Sequence, residues 1–245
     1  MRTVFLLCFV FLYAAADARL PQRTPYSRMD KRVAFSTSGM GLMSFFKTDD
    51  RHSSPANPRT GFGLNARTEF IFTEEFRIFT GLEFLSQACT FNTYYFATGH
   101  STYYDKVFDY THGLRTYEVH LPVVFRLGLM RNESDLNNAV YMLGGWAMKY
   151  QLAARSRVEK ITTGEEVWKG KATLDFENWF IRPSIGNVLV GGLGLDHRFN
   201  HSDESVFFEV IYRYGLSRYI YSGNVDTNDL VIKNASLSFA VGFRM

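Results

Sequence analysis

The chain has 245 residues, with 27 Lys and Arg against 24 Asp and Glu, for a net charge of +3. This nearly equal number of positive and negative residues excludes the concentrated basic field that marks nucleic-acid-binding proteins. Aromatic residues make up 16% of the chain, yet the mean hydropathy is only −0.13. This combination is typical of strands that alternate apolar and polar residues, because alternation averages the hydropathy to near zero. The length suits a single all-β barrel.

The first 18 residues have the pattern of a secretory signal peptide. Arg2 gives a short positive region and Val4 to Tyr13 is apolar. Residues 14–16 (AAA) or 16–18 (ADA) then fit the small-x-small cleavage rule. The apolar run is too short for a transmembrane helix, which needs about 20 residues. Residues 19–32 are predicted to be a periplasmic tail, and residues 33–245 an outer-membrane β-barrel.

Eight segments with strand character follow one another, and the connections between them alternate between long and short. Outer-membrane barrels have an even number of strands, long extracellular loops and short periplasmic turns. The strand number and the alternation of long and short connections therefore predict an all-β fold. The predicted fold is an eight-stranded antiparallel up-and-down transmembrane β-barrel with long extracellular loops and both termini in the periplasm. The predicted strands are 33–46, 61–72, 76–87, 117–128, 139–153, 187–199, 206–217 and 234–245.

The fourth segment, YEVHLPVVFRLG at 117–128, shows the strand signal most clearly. Every second residue is apolar or aromatic, and the alternate set carries Glu118, His120 and Arg126. A period of two with one wholly apolar face predicts a β-strand. Its polar face fits water, or the interior of a barrel whose apolar side faces lipid. Pro122 lacks a ladder donor and predicts a local bulge or a gap in the pairing.

Single ionisable residues occur on one face of nearly every predicted strand. Both signs occur in similar number, and an unpaired charge in a low-dielectric interior is costly, so mutual pairing is expected. An eight-stranded barrel is just wide enough inside for its own side chains, which excludes a water-filled channel. The alternative is a soluble lipocalin-like barrel, with the apolar residues inside. The predicted polar network of the lumen comprises Arg67, Glu69, Arg77, Glu83, Glu118, His120, Arg126, Lys149, Asp196, Arg198, Glu209, Arg213 and Arg244.

No pattern singles out a catalytic, metal or cofactor site. Glu118 and His120 share one face, as general acid–base catalysis would need, but a filled lumen leaves no place for a substrate. His112, His197 and His201 lack the spacing of a zinc site. Cys89 is the one cysteine outside the signal peptide, and we interpret it as a small apolar filler. We predict no enzymatic activity, no metal, no cofactor and no small-molecule substrate.

Tyrosines cluster in the predicted long connections. Tyr94, Tyr95 and Tyr219 fit an aromatic girdle at the membrane interface. Tyr103 and Tyr104 lie in mid-loop, beyond the level where a girdle should sit, so a partner-binding role is open for them. These two are the candidate partner-binding residues.

Three features together resemble a known family. The strand HLPVVFR at 120–126 is similar to an acid–aliphatic–Pro–aliphatic–aliphatic–x–basic strand, residues 187–199 contain the pattern VxVGGLGLD, and the terminal strand is aromatic. The glycines at 191–194 are interpreted as sites of close strand packing, since no helix follows them as in a phosphate loop. On these features the chain resembles the PorT family of outer-membrane barrels from the Bacteroidetes. It departs from that family at His120, where an acid is usual, and Glu118 is a candidate to replace it.

The resemblance implies a non-enzymatic accessory component of the type IX secretion system, which exports proteinases and gliding adhesins. Its expected partners are outer-membrane lipid and proteins of that secretion machinery. Two other functions stay open. One is a lipid-modifying outer-membrane enzyme with Ser101 or His112 near a strand end as its reactive residue. The other is a structural or adhesive barrel that acts through the connection 88–114.

Overall fold

The computed structural model describes residues 33–47, 56–73, 75–94, 108–132, 135–171, 180–181, 185–199, 204–217, 219–222 and 230–245. The predicted signal peptide and periplasmic tail lie outside this part of the chain. The strands are β1 (Val33–Lys47), β2 (Asn57–Ile71), β3 (Phe76–Tyr94), β4 (Phe108–Asn132), β5 (Asp135–Lys160), β6 (Glu166–Lys171), β7 (Phe180–Ile181), β8 (Ile185–Arg198), β9 (Ser205–Gly215), β10 (Tyr219–Ser222) and β11 (Leu230–Arg244).

Eight strands form a closed antiparallel barrel. They pair in the order β1–β2–β3–β4–β5–β8–β9–β11, and β1 also pairs with β11 over twelve positions, from Ser36 opposite Arg244 to Lys47 opposite Lys233. Closure leaves no free sheet edge along the barrel. The three short strands lie on the long-connection side, where β6 pairs with β5 and β10 pairs with both β11 and β7. The predicted fold class, strand number and pairing are confirmed.

Side chains alternate between the lumen and the outer wall. Strand β1 reads exposed and buried in strict alternation over all its residues. In β4, Leu121 and Val123 are 41% and 40% exposed, while Glu118 and His120, at the alternate positions just before them, are buried. The aliphatic side chains therefore face outward and the ionic ones inward, and the lipocalin-like alternative is wrong. No helix among the described residues is long and apolar enough to cross a membrane.

The strands on one side of the barrel are longer than predicted. β3 continues to Tyr94 and β4 begins at Phe108, so about half of the predicted loop 88–114 is paired strand. β5 continues to Lys160 and then pairs with β6. Among the added pairs, the outward-facing residues are mostly polar. The sequence therefore lacks the apolar alternation of a barrel strand there, and this is why the segments were predicted as loops. We call this paired extension the overhang; it consists of residues 87–94 of β3, 108–116 of β4, 153–160 of β5 and all of β6.

Pro122 interrupts the ladder as predicted. Thr80 of β3 is opposite Val123 and Glu83 is opposite His120, with no pairs formed between them and no shift of register. The pairing of Pro122 with Ala147 of β5 on its other side is kept. The missing donor therefore leaves a local gap on one side of β4 only.

Candidate functional site

The predicted polar residues lie on the inward faces of the barrel strands. Because each occupies an alternate position of its strand, the pleat directs it into the lumen. Arg198 is the exception to full burial: it is half-buried at the end of β8. The buried members are Arg67, Glu69, Arg77, Glu83, Glu118, His120, Arg126, Lys149, Asp196, Glu209, Arg213 and Arg244. They form three clusters along the barrel axis, which we call lower, middle and upper.

The lower cluster lies towards the chain ends and the short turns, and contains Glu69, Arg77, Arg126, Asp196 and Arg244. Asp196 Oδ2 accepts hydrogen bonds from Arg126 Nη2 at 2.8 Å and from Arg244 Nη1. Arg244 Nε also donates to Glu69 Oε1 at 2.9 Å. Arg77 has one longer contact, 3.6 Å from Nη1 to Glu69 Oε2. Three cations thus share two carboxylates, which ties β2, β3, β4, β8 and β11 together.

The middle cluster crosses the lumen. Arg213 Nη2 of β9 lies 3.0 Å from Glu83 Oε2 of β3, and these two strands are four places apart in a ring of eight. Arg67 Nη1 donates to Glu209 Oε2 at 2.7 Å, and Arg67 Nη2 lies 3.4 Å from Glu83 Oε1. Two cations therefore face two anions, all buried. This ion pair between opposite strands spans the lumen at this level.

The upper cluster surrounds Glu118. His120 Nε2 lies 2.8 Å from Glu118 Oε2, and Gln87 Nε2 donates to the same oxygen at 3.3 Å. Asn234 Nδ2 donates to Gln87 Oε1 at 3.2 Å, and Lys149 Nζ lies 3.5 Å from Asn234 Oδ1. The hydrogen bonds run from β4 through β3 to β11 and β5. Glu118 and His120 are thus paired with each other inside the network through His120 Nε2, while the buried Nδ1 of the same ring has no hydrogen-bond partner among the described residues.

Tyr141 is a lumen residue that the sequence analysis missed. It is fully buried, its hydroxyl donates to Glu209 Oε1 at 2.9 Å, and the Arg126 guanidinium lies 3.6 Å from its ring centroid. It links the lower and middle clusters. Tyr141 is separated from Lys149 on β5 by an even number of positions, which predicts that both face the lumen. A tyrosine among apolar residues, however, resembles a lipid-facing residue.

The glycine pattern of β8 explains how Tyr141 fits. A Cβ atom at Gly194 would lie 2.3 Å from the Tyr141 ring, and one at Gly192 would lie 2.4 Å from the Val210 carbonyl oxygen. Both distances are far below van der Waals contact. Close packing therefore accounts for these two glycines. A Cβ atom at Gly191 would have no heavy atom nearer than 4.0 Å, so close packing does not explain the glycine at this position.

The other candidate reactive residues are dispersed. His112 is buried in the lumen face of the overhang, with its ring stacked on Phe91 at 5.2 Å, away from the lipid side. His197 is exposed and its Nδ1 lies 2.7 Å from Asn138 Oδ1. Cys89 is buried and free. Across the described ranges, no three His, Cys, Asp or Glu side chains gather as metal ligands.

Several predicted residues lie outside the described part of the chain, namely Ser101, Tyr95, Tyr103, Tyr104 and His201. Tyr94 and Tyr219 belong to described strands, β3 and β10. The partner-binding assignment of Tyr103 and Tyr104 therefore stays a prediction.

Solved structures that match the chain include small outer-membrane barrels. Ail, the attachment invasion locus protein of Yersinia pestis, is 14% identical, with a TM-score of 0.39, covering 88% of this chain and 100% of its own. OprG of Pseudomonas aeruginosa is 10% identical, with a TM-score of 0.44, covering 87% and 95%. Neisserial surface protein A is 12% identical, with a TM-score of 0.37, covering 86% and 97%. No protein-family model and no curated protein matches the chain.

Proposed function

We propose that this protein is a non-conducting, non-enzymatic barrel of the bacterial outer membrane that serves as an accessory or assembly component of protein secretion. The observation that carries the proposal is the ion pair between Arg213 and Glu83, which joins opposite strands across the lumen. A lumen filled by paired side chains has no room for a substrate or a permeating solute. Only the lipid-facing wall and the surfaces at the two ends are left to act on partners.

The location in the membrane follows from the outer wall. Exposed aliphatic and aromatic residues on every barrel strand form an apolar band, of which Leu64, Leu82, Leu121, Leu193 and Phe239 are examples, each at least 41% exposed. Bare apolar surface of this extent is stable in hydrocarbon and costly in water. Short connections end the barrel on the side of both described chain ends, and we place that side in the periplasm.

The type IX secretion system is the machinery that we propose. Its support is the resemblance of HLPVVFR at 120–126 and of the glycine pattern in β8 to the PorT family. In the structure the two motifs serve the same network, since His120 and Arg126 lie in the upper and lower clusters and Gly194 makes room for Tyr141. Tyr103 and Tyr104 remain the candidate residues for a protein partner.

Deletion of the gene tests this function. We expect secreted proteinases and adhesins to accumulate in the periplasm, and the wild-type gene to restore their export. The lipid A mass spectrum of the same strain should not change, because the proposal assigns no lipid chemistry to the barrel. Normal surface display of the cargo in the deletion strain would refute the secretion role. A changed lipid A profile would favour a lipid-modifying enzyme instead.

A further inference from the structure

A groove opens on the outer wall of the overhang. Its volume is about 830 Å³, and strands β2 to β6 all contribute to its lining. The groove belongs to the outside of the sheet because Thr116 of β4 and Ala154 of β5, which do not line it, are buried in the lumen face. The neighbouring positions, Arg115 and Arg155, consequently point outward and are exposed.

Like charges stand opposite one another in this groove. Arg115 of β4 and Arg155 of β5 are direct cross-strand partners, and so are Arg157 of β5 and Lys169 of β6. Like charges directly opposite each other in an antiparallel pair destabilise the sheet. Carboxylates offset the charge of Arg157 in the second pair. Strand pairing does not explain the Arg115 and Arg155 pair, and this pair indicates an anionic ligand.

Glu159, which lines the groove, and Glu166 beside it are already engaged. Arg157 Nε lies 2.7 Å from Glu159 Oε1 and 2.6 Å from Glu166 Oε2, so both carboxylates serve the same guanidinium. Among the described residues, no carboxylate forms an ion pair with Arg115 or Arg155. The charge of these two side chains is therefore available to a ligand from solution or from the membrane.

The position of the groove relative to the apolar band of the barrel indicates where that ligand comes from. Below Arg115 the next outward residue of β4 is Tyr117, which begins the apolar band and whose ring centroid lies 5.9 Å from the Arg155 guanidinium. On β5, Tyr150 and Leu152 are 48% and 52% exposed just below Arg155. The arginines thus stand at the boundary between the apolar wall and the polar overhang. Lipid headgroups occupy this level, and cations there attract anionic lipids.

We propose that the groove binds the phosphorylated headgroup of an outer-leaflet glycolipid. Arg115 and Arg155 contact a phosphate, for which the guanidinium fork is well matched. Tyr117 packs at the junction of sugar and acyl chains, where an amphipathic ring is favoured. A lipid bound there would lie against the apolar wall with its acyl chains and against the overhang with its headgroup. This assignment rests on the proposed orientation, with the short turns in the periplasm, and does not depend on the proposed secretion role.

Native mass spectrometry of the full barrel from micelles tests the site. The probes are diphosphoryl lipid A, the same lipid A with its phosphates removed, and soluble inorganic polyphosphate. The wild-type barrel should retain diphosphoryl lipid A and lose most of the dephosphorylated form. For Arg115→Gln with Arg155→Gln, apparent affinity for diphosphoryl lipid A should fall roughly 30-fold, since each cation near a charged lipid surface is worth about fivefold.

The matched control is Lys47→Gln with Lys233→Gln. These two lysines are also cross-strand partners at the long-connection side of the barrel, on the wall formed by β1 and β11. We expect this control to change lipid A affinity less than about threefold, because one site rather than overall charge holds the lipid. Heat-modifiable gel mobility verifies that both variants are folded. An equal loss in both variants, equal retention of dephosphorylated lipid A, or preference for polyphosphate over lipid A would overturn the proposal.

Discussion

The lumen and the overhang use the same residue types in opposite ways. Inside, cations and carboxylates alternate in space, and every cluster joins several strands through short contacts such as Arg67 to Glu209 at 2.7 Å. Outside, on the overhang, Arg115 and Arg155 face each other, and no carboxylate of the described residues pairs with either. The interior charges need each other, because a low-dielectric surrounding makes isolation costly. The exterior charges tolerate repulsion because water and salt screen it.

The contrast separates charges that hold the fold from charges that serve a ligand. Neutralising a lumen charge should weaken the folded state strongly, whereas neutralising an overhang charge should weaken ligand binding and leave the free energy of unfolding equal or slightly higher. The following variants measure this difference, in order of decreasing effect on the free energy of unfolding.

Arg213→Met should have the largest effect. It removes the cross-lumen partner of Glu83 and leaves that buried carboxylate with Arg67 at 3.4 Å. We expect the free energy of unfolding to fall by about 3–5 kcal/mol, the usual result of removing one partner of a buried ion pair. Urea titration of the barrel folded in lipid vesicles measures it. Adding Glu83→Gln should restore part of the loss, and a single-variant loss below about 1 kcal/mol would contradict a paired lumen.

Gly194→Ala tests the packing around Tyr141. Its Cβ would lie 2.3 Å from the tyrosine ring, so the ring or the strand must move. Overpacking of this kind lowers the free energy of unfolding by about 1–3 kcal/mol. Gly191→Ala is the control on the same strand, where the nearest atom is 4.0 Å away. Equal effects of the two substitutions in the same titration would argue against the Tyr141 contact.

Tyr141→Phe tests the hydrogen bond from the tyrosine hydroxyl to Glu209 at 2.9 Å. Glu209 keeps its ion pair with Arg67, and the ring stays under the Arg126 guanidinium. The expected loss is therefore that of one hydrogen bond, about 1 kcal/mol. In an Arg67→Met background, where Glu209 depends more on the hydroxyl, the same substitution should cost more. Additive losses in the double variant would show that the two contacts are independent.

Arg115→Gln with Arg155→Gln should have the smallest effect on folding. The variant removes a like-charge pair that opposes strand pairing, so the free energy of unfolding should stay equal or rise by up to about 1 kcal/mol. The measurement is the same urea titration, without added anionic lipid. A clear loss of stability would mean that these arginines hold the overhang together through contacts within the protein.

The sequence was sufficient to predict the barrel because the apolar band has a period of two in every barrel strand. The same alternation placed Glu118, His120 and Arg126 on one face of β4. It also predicted which ionisable residues of the other barrel strands face the lumen. It could not show which charges meet. Arg213 and Glu83 are 130 positions apart, and their contact depends on the closure of the ring.

The overhang was missed for a physical reason. Its outward residues, among them Arg115 and Arg155, are polar because they stand above the apolar band, so the strand signal stops where the band stops. Pairing continues without it, since backbone hydrogen bonds do not depend on the side chains outside. The like-charge partners become visible only through the register of β4 against β5.

Conductance of the barrel in a planar lipid bilayer tests the central claim most directly, which is that paired side chains close the lumen. After insertion of the purified protein, we expect no steady current steps under an applied voltage, while a porin inserted in the same way gives them. Stable open steps from the wild-type barrel would contradict the closed lumen and the function derived from it.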